Sequence, residues 1–211
     1  MAERWVWIRG LIRGAGHWGD FPEIAAAERP HLLIEHLELP GNGSRCEEVS
    51  PWNIQGYVQD LRERCESLRT GPISVLAHSL GGMVALQWAA DHPGDFLRLV
   101  VINTSASDLS LPWERFRPLE WRFLLRAFFE KNPRLRERWI LETIANNQSR
   151  VDQLLPMLAD FSESHPVRYQ NLVRQLFAAS GFRLPSVKVP TRVLASRGDR
   201  LVRVENSERL A

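Results

Sequence analysis

The chain has 211 residues, of which 44% are hydrophobic and 25% are charged, a balance typical of one globular domain or of a core domain with an insertion. Its formal net charge is only +2, and it has neither a zinc-like Cys/His spacing nor an aromatic–basic pattern, so we expect no nucleic-acid partner. There is no apolar run of membrane-spanning length and no N-terminal signal segment, and the two cysteines lack a CxxC pattern, so we expect a cytoplasmic protein without membrane insertion.

Short apolar runs separated by helical patterns dominate most of the chain. The runs that predict strands are residues 5–8, 32–39, 73–77, 96–102 and 190–195. Ser50 and Pro51 predict the N-cap and first residue of a helix that continues with helical period to Leu68. Alternating strands and helices favour an α/β fold, with a mostly parallel sheet and helices on both faces.

A glycine-rich loop follows the first predicted strand, at residues 9–21. Its glycines fit neither GxGxxG nor a phosphate-binding P-loop, so we set nucleotide binding aside. His17 lies in this loop, where packing beside Trp18 is a more ordinary role than facing a cleft.

The most informative stretch is residues 73–93, where an apolar strand pattern becomes a helix pattern within very few residues. Such a sharp bend predicts a strained backbone at Ser79, with its side chain directed out above the sheet. Small residues, Ala77 and Gly81, flank Ser79, as expected where strand and helix backbones nearly touch. From the residues alone, Ser79 is either a nucleophile or an idle serine in a tight turn.

From residue 109 to residue 182 the pattern changes to consecutive helices. The apolar stripes that predict them are Trp121–Phe129, Trp139–Ile144, Leu154–Phe161 and Tyr169–Phe177. Helices that pack in a core would explain most of these residues whatever the function.

The segment Ala77-His78-Ser79-Leu80-Gly81 resembles the nucleophile elbow of the α/β-hydrolases, Gly-x-Ser-x-Gly, with Ala in place of the first Gly. The resemblance implies an α/β-hydrolase fold in which Ser79 is the nucleophile. It also implies that the backbone N–H of Leu80 binds the oxyanion that develops during the reaction.

Other segments extend the resemblance over nearly the whole chain. Residues 9–11 are similar to the His-Gly-x loop of the family, with Arg9 where His is usual, which implies that the Leu11 N–H is the second oxyanion donor. Residues 38–43 are similar to Asp-x-Pro-Gly-x-Gly. Asp199 follows the last predicted strand and matches the acid of the triad, in the family order Ser, acid, His. The helical segment resembles an inserted cap, which implies a core of residues 1–108 and 183–211 and a cap of residues 109–182.

The resemblance also implies a histidine after one more strand, and no histidine of this sequence has that context. We therefore expect the last strand and helix of the fold to be missing, leaving a gap near Asp199 and an uncovered sheet edge. The first hypothesis is a serine hydrolase for a small-molecule carboxylic ester or thioester, needing no cofactor and no metal; carbon–carbon bond hydrolysis stays open. The alternative is a non-catalytic or degenerate relative that binds a small apolar ligand or a partner. Oligomeric state is not predicted.

Overall fold

A computed structural model of the chain describes residues 3–115, 126, 129–199 and 202–211. The strands in these residues are β1 (Glu3–Ile8), β2 (Leu32–Leu37), β3 (Ile73–His78), β4 (Phe96–Ile102) and β5 (Thr191–Leu194). They form one sheet in the order β2-β1-β3-β4-β5, and every pairing is parallel. The carboxyl ends of all these strands therefore lie at the same edge of the sheet.

The helices connect and flank the strands. They are α1 (Phe21–Glu28), α2 (Ile54–Arg64), α3 (Leu80–Asp91), α4 (Pro112–Arg115), α5 (Pro133–Ile144), α6 (Gln148–Ser164), α7 (Tyr169–Ser180) and α8 (Val204–Leu210). The stripe predicted from Trp121 lies outside the described residues except for Phe129. None of the described helices has both the length and the apolar character needed to cross a membrane.

Both faces of the sheet carry helices, as predicted. Val6 and Ile8 of β1 are fully buried in a core shared with α2 and α3. Trp7 points to the opposite face, because side chains alternate along a strand. Its ring stacks on Phe21 of α1 with a centroid distance of 5.0 Å. The prediction of an α/β-hydrolase type of fold, with a parallel sheet between helices, is confirmed.

Helices α5 and α6 pack against each other around a second, smaller core of Leu141, Val151 and Leu158. Helix α7 differs from its sequence prediction. Tyr169 and Phe177, which were expected in its apolar stripe, are 66% and 63% exposed. The buried face instead includes Asn171 and Gln175 beside Leu172, and these polar side chains are tolerated because they are hydrogen-bonded.

The predicted start of α2 is wrong. The helix begins at Ile54, and the N-cap is Asn53, whose side chain accepts a hydrogen bond from the Gly56 N–H at 2.8 Å. Ser50 is used elsewhere, because its hydroxyl donates to the Pro40 carbonyl at 2.7 Å. The polar side chain nearest the helix therefore caps it, while Ser50 belongs to a tertiary network.

Gly81 allows the first turn of α3 to lie against the end of β1. A Cβ atom added at Gly81 would lie 2.5 Å from the Arg9 carbonyl oxygen and 2.8 Å from the Ile8 carbonyl oxygen. The close approach predicted around Ser79 therefore exists, and at Gly81 it joins α3 to the end of β1. Since β1 leads into the glycine-rich loop, this contact brings that loop to Ser79.

We expect Gly81→Ala to destabilise the fold by about 1–3 kcal/mol, because the added methyl group meets backbone carbonyls that cannot rotate away. The gain in helix propensity, about 1 kcal/mol at most, offsets only part of that cost. Urea unfolding measures the change. Gly94→Ala is the matched control, since its added Cβ would have no atom within 4 Å. Equal midpoints for the two variants would contradict the assigned contact.

Candidate active site

Ser79 forms the turn between β3 and α3 with φ 54° and ψ −118°. A non-glycine residue in this region costs about 1–3 kcal/mol and persists only where its surroundings fix it. The Ser79 N–H donates to the Ile102 carbonyl at 2.9 Å, and the buried Thr104 hydroxyl donates to the Ser79 carbonyl at 3.2 Å. The positive φ expected at Ser79 is confirmed, and both restraints come from the end of β4.

The loop after β1 lies directly beside this turn. A Cβ atom added at Gly10 would lie 2.9 Å from Ser79 Cβ and 3.4 Å from the Leu80 nitrogen. The peptide that carries the Leu11 N–H therefore borders the elbow, near the Leu80 N–H. The loop turns tightly here: the Arg13 N–H donates to the Gly10 carbonyl at 3.2 Å, and Ile12 has φ 48°.

Asp199 lies beyond the end of β5 at the same edge of the sheet as Ser79. Its Oδ1 accepts a hydrogen bond from the Val202 N–H at 2.8 Å, and its Oδ2 accepts one from the Asn103 side chain at 2.6 Å. The Asn103 Oδ1 in turn accepts from the Ser196 N–H at 3.2 Å. Asn103 thus links the turn that carries Asp199, here called the acid turn, to the end of β4.

Asn103 is not among the site residues expected from the sequence. Its φ is 49°, a left-handed value that asparagine tolerates better than most residues. An asparagine immediately after a predicted strand is a signal that could have pointed to this position.

A buried ion pair attaches the loop to the helices that follow β4. Both oxygens of Glu137, on α5, accept from the Arg13 guanidinium at 2.8 Å. Ser162, on α6, also donates to Glu137 at 3.1 Å. Glu137 is only 1% exposed, so its carboxylate is compensated by both an ion pair and a hydrogen bond, as a buried charge requires.

His17 is hydrogen-bonded within the cluster of Arg13, Glu137 and Ser162 and does not face a cleft. Its Nδ1 accepts from the Gly14 N–H at 3.0 Å, so its Nε2 carries the proton and donates to Ser162 Oγ at 3.1 Å. Its ring packs edge-on against Phe161 with a centroid distance of 5.0 Å, which is a structural role, as predicted, with Phe161 as a packing partner. Burial, with Arg13 and Arg9 nearby, lowers the pKa of His17 well below its usual value.

The other histidines near this region also have structural surroundings. The His165 Nδ1 lies 2.9 Å from the Phe161 carbonyl. Burial, reinforced by Arg9, lowers the pKa of His78 to about 3. In the part of the chain that the structure describes, no histidine is hydrogen-bonded to the Ser79 hydroxyl. The same residues contain no group of three His, Cys, Asp or Glu side chains that could hold a metal ion.

Arg9 occupies the position where the resemblance leads one to expect histidine. Its guanidinium lies over the Trp18 ring, 4.7 Å from the centroid. Burial and the nearby Arg13 lower the pKa of Arg9 to about 9. The Arg9 Nε is buried without a hydrogen-bond partner. Stacking on Trp18 is thus the contact that holds this side chain in the described structure.

Comparison with known proteins establishes the family. Residues 8–211 match the model of the alpha/beta hydrolase family, and the chain belongs to that family. The match covers the elbow, the glycine-rich loop and the turn that carries Asp199.

Individual relatives are more distant. The chain is 36% identical over 106 residues to a cis-3-alkyl-4-alkyloxetan-2-one decarboxylase of Xanthomonas campestris, a match that covers 46% of this chain and 35% of that protein. It is 27% identical over 201 residues to a poly(3-hydroxyalkanoate) depolymerase of Ectopseudomonas oleovorans, covering 90% of this chain and 67% of that protein. The enol-lactonase of Burkholderia xenovorans superposes with a TM-score of 0.76 at 20% identity, over 100% of this chain and 79% of that one. That structural likeness shows the fold.

We expect stability to fall as the pH drops below about 6.5, in part because His78 stays neutral in the folded chain while an unfolded histidine takes up a proton there. The sign follows from the lowered pKa: the contribution is complete above pH 6.5 and is lost on acidification toward its folded pKa of about 3. Between these two pKa values, one such histidine changes the free energy of unfolding by about 1.4 kcal/mol per pH unit.

Urea unfolding of the parent and His78→Asn at pH 7.5, 6 and 5 measures this slope. His78→Asn should flatten it, whereas His31→Asn, which changes an exposed histidine, should leave it as in the parent. A parent and His78→Asn with parallel pH profiles would rule out the buried neutral histidine.

Proposed function

We propose that the chain carries the active site of a serine hydrolase that acts on small-molecule carboxylic esters or thioesters. The observation that carries the proposal is the strained Ser79 turn with the Gly10–Leu11 peptide packed beside it. A strained serine at the carboxyl edge of a parallel sheet, next to two backbone N–H groups, is the arrangement that acyl transfer needs. Membership of the alpha/beta hydrolase family supports the same reaction class.

In the proposed mechanism the Ser79 oxygen attacks the carbonyl carbon of the substrate. The Leu11 and Leu80 N–H groups then donate to the negative oxygen of the tetrahedral intermediate. The intermediate expels an alcohol or thiol and leaves an acyl group on Ser79, and water releases that group as a carboxylic acid. A base must accept the Ser79 proton and return a proton to the leaving group.

Asp199 is proposed to orient that base, a histidine. The described histidines close to the elbow are poor candidates for this role, because His17 uses both ring nitrogens in the cluster with Ser162 and His78 has a pKa of about 3. Without a base, Ser79 remains a neutral hydroxyl and a weak nucleophile. We therefore expect slow hydrolysis by these 211 residues, since the rest of such a site retains roughly 10³–10⁴-fold catalysis over water.

A different observation, that no described histidine is hydrogen-bonded to the Ser79 hydroxyl, favours a second candidate function: a non-catalytic member of the family that binds a small apolar ligand or a partner. In that case the Ser79 turn has a structural role and Ser79 does not react. Carbon–carbon bond hydrolases of this fold also use a serine. The serine alone therefore does not distinguish ester or thioester cleavage from carbon–carbon bond cleavage. A reactive Ser79 separates the hydrolase from the binder.

A fluorophosphonate probe should label the parent chain, because it phosphonylates a serine held beside oxyanion donors. Labelling should disappear in Ser79→Ala and persist in Ser164→Ala, which alters an exposed serine on α6. Intact-protein mass spectrometry measures the adduct. Equal labelling of the parent and Ser79→Ala, or none in either even with added imidazole as the base, would support the binder.

Added imidazole should accelerate aryl-ester hydrolysis by the parent more than by Ser79→Ala, since it supplies the base that the site lacks. The quantity measured is the difference in rate between the two proteins at each imidazole concentration, which removes the direct reaction of imidazole with the ester. A parent that is already fast without imidazole would show that a base is present in the chain. The assignments of His17 and His165 to structural roles would then be wrong.

A further inference from the structure

Two buried amide side chains, Asn42 and Gln175, connect α7 to the loop that carries Leu11. Asn42 follows β2 and is 1% exposed, and Gln175 lies on α7 and is fully buried. The Gln175 Nε2 donates to the Asn42 Oδ1 at 2.7 Å and to Ser50 Oγ at 3.1 Å. The two amides therefore form one continuous network in the interior.

Asn42 fixes the peptide between Gly10 and Leu11. Its Nδ2 donates to the Gly10 carbonyl at 3.0 Å and to the Arg13 carbonyl at 3.2 Å. The carbonyl and the N–H of a trans peptide are coplanar and point in opposite directions. Holding the Gly10 carbonyl toward Asn42 therefore directs the Leu11 N–H away from Asn42. Gly10 also borders Ser79.

Gln175 fixes the next peptide, between Leu11 and Ile12. Its Oε1 accepts from the Ile12 N–H at 2.7 Å. Ile12 has φ 48°, an unfavourable value for a β-branched residue. The strained turn therefore depends on a tertiary hydrogen bond, and the peptides on both sides of Leu11 are held by this network.

The two amides also determine each other's orientation. Because the Gln175 Oε1 accepts from the Ile12 N–H, its Nε2 must face the Asn42 oxygen. That leaves the Asn42 Nδ2 facing the two loop carbonyls. Turning either amide over would oppose two donors or two acceptors inside the protein, which is costly for buried polar groups. The network thus has one favourable arrangement, and that arrangement aims the Leu11 N–H.

We propose that Asn42 and Gln175 are positioning residues that orient the Leu11 N–H toward the oxyanion site at Ser79. Helix α7, more than 90 residues after the elbow, then controls how well the site stabilises the developing charge. This inference rests on the proposed hydrolase function. It assigns to the helical segment a role in the rate of the reaction.

The test uses near-isosteric apolar substitutions, which remove the hydrogen bonds without adding charge. Gln175→Met and Asn42→Leu should each lower the Ser79-dependent kcat on a short-chain aryl ester by roughly ten- to hundredfold, somewhat less than the loss of an oxyanion donor itself. KM should change little, because the donor acts mainly in the transition state. The double variant should be about as slow as either single variant, because both disrupt one network.

Asn171→Leu is the matched control. Asn171 is fully buried on the same helix, donates to the Glu48 carbonyl at 2.9 Å and accepts from the Ser50 N–H at 2.9 Å. It therefore anchors α7 through Glu48 and Ser50, and among the described residues it makes no hydrogen bond to the loop of residues 9–21. Asn171→Leu should lose stability comparably in urea unfolding, yet keep kcat within about twofold of the parent, since no oxyanion donor is disturbed.

Amide hydrogen exchange measured by NMR gives a second readout of the same network. The Ile12 N–H should lose protection in Gln175→Met and keep it in Asn171→Leu. Equal kcat in Gln175→Met and Asn171→Leu, or unchanged Ile12 protection in Gln175→Met, would overturn the positioning role while leaving the hydrolase proposal in place. A parent chain with no Ser79-dependent hydrolysis would overturn the hydrolase proposal itself, and the positioning role with it.

Discussion

The contact between the end of β1 and the first turn of α3 is the constraint on which the site depends. Gly81 admits the carbonyl oxygens of Ile8 and Arg9 at distances that no side chain would permit. The same contact places Gly10 against Ser79, so the serine and the loop occupy one edge of the sheet. The left-handed turn at Ser79 is in turn held by Ile102 and Thr104 at the end of β4. Three neighbouring strands thus stabilise a conformation that the local sequence disfavours.

The loop beside Ser79 is equally dependent on distant parts of the chain. Arg13 is paired with the buried Glu137, and the strained Ile12 is held by Gln175. A buried ion pair adds little net stability compared with apolar packing, but it opposes other arrangements strongly because a lone buried charge is costly. The helical segment after β4 therefore specifies the shape of the loop. This explains how α5 and α7 can influence chemistry without contributing a reacting group.

The acid turn shows the same kind of dependence. The Asp199 carboxylate accepts from the Asn103 amide, and Asn103 also binds the Ser196 N–H. Each carboxylate oxygen accepts from a described donor, the Asn103 amide or the Val202 N–H, and these hydrogen bonds limit the rotation of the carboxylate. A histidine brought to this turn would meet a carboxylate that is already oriented. His17 is bound within its polar cluster and the pKa of His78 is lowered to about 3, so neither of these histidines is placed to complete the proposed pair of nucleophile and acid.

Local sequence pattern is sufficient to predict several features of this fold. The strands, the alternation that makes a parallel sheet and the strained serine could be predicted, because strand period and small residues around Ser79 are visible within a short window. It did not determine the start of α2, the buried face of α7 or the surroundings of His17. Asn42 and Gln175 are 133 residues apart, and Asn103 and Asp199 are 96 residues apart. Which buried polar groups meet is visible only in the folded chain, because a hydrogen bond between distant residues leaves no periodic pattern in the sequence.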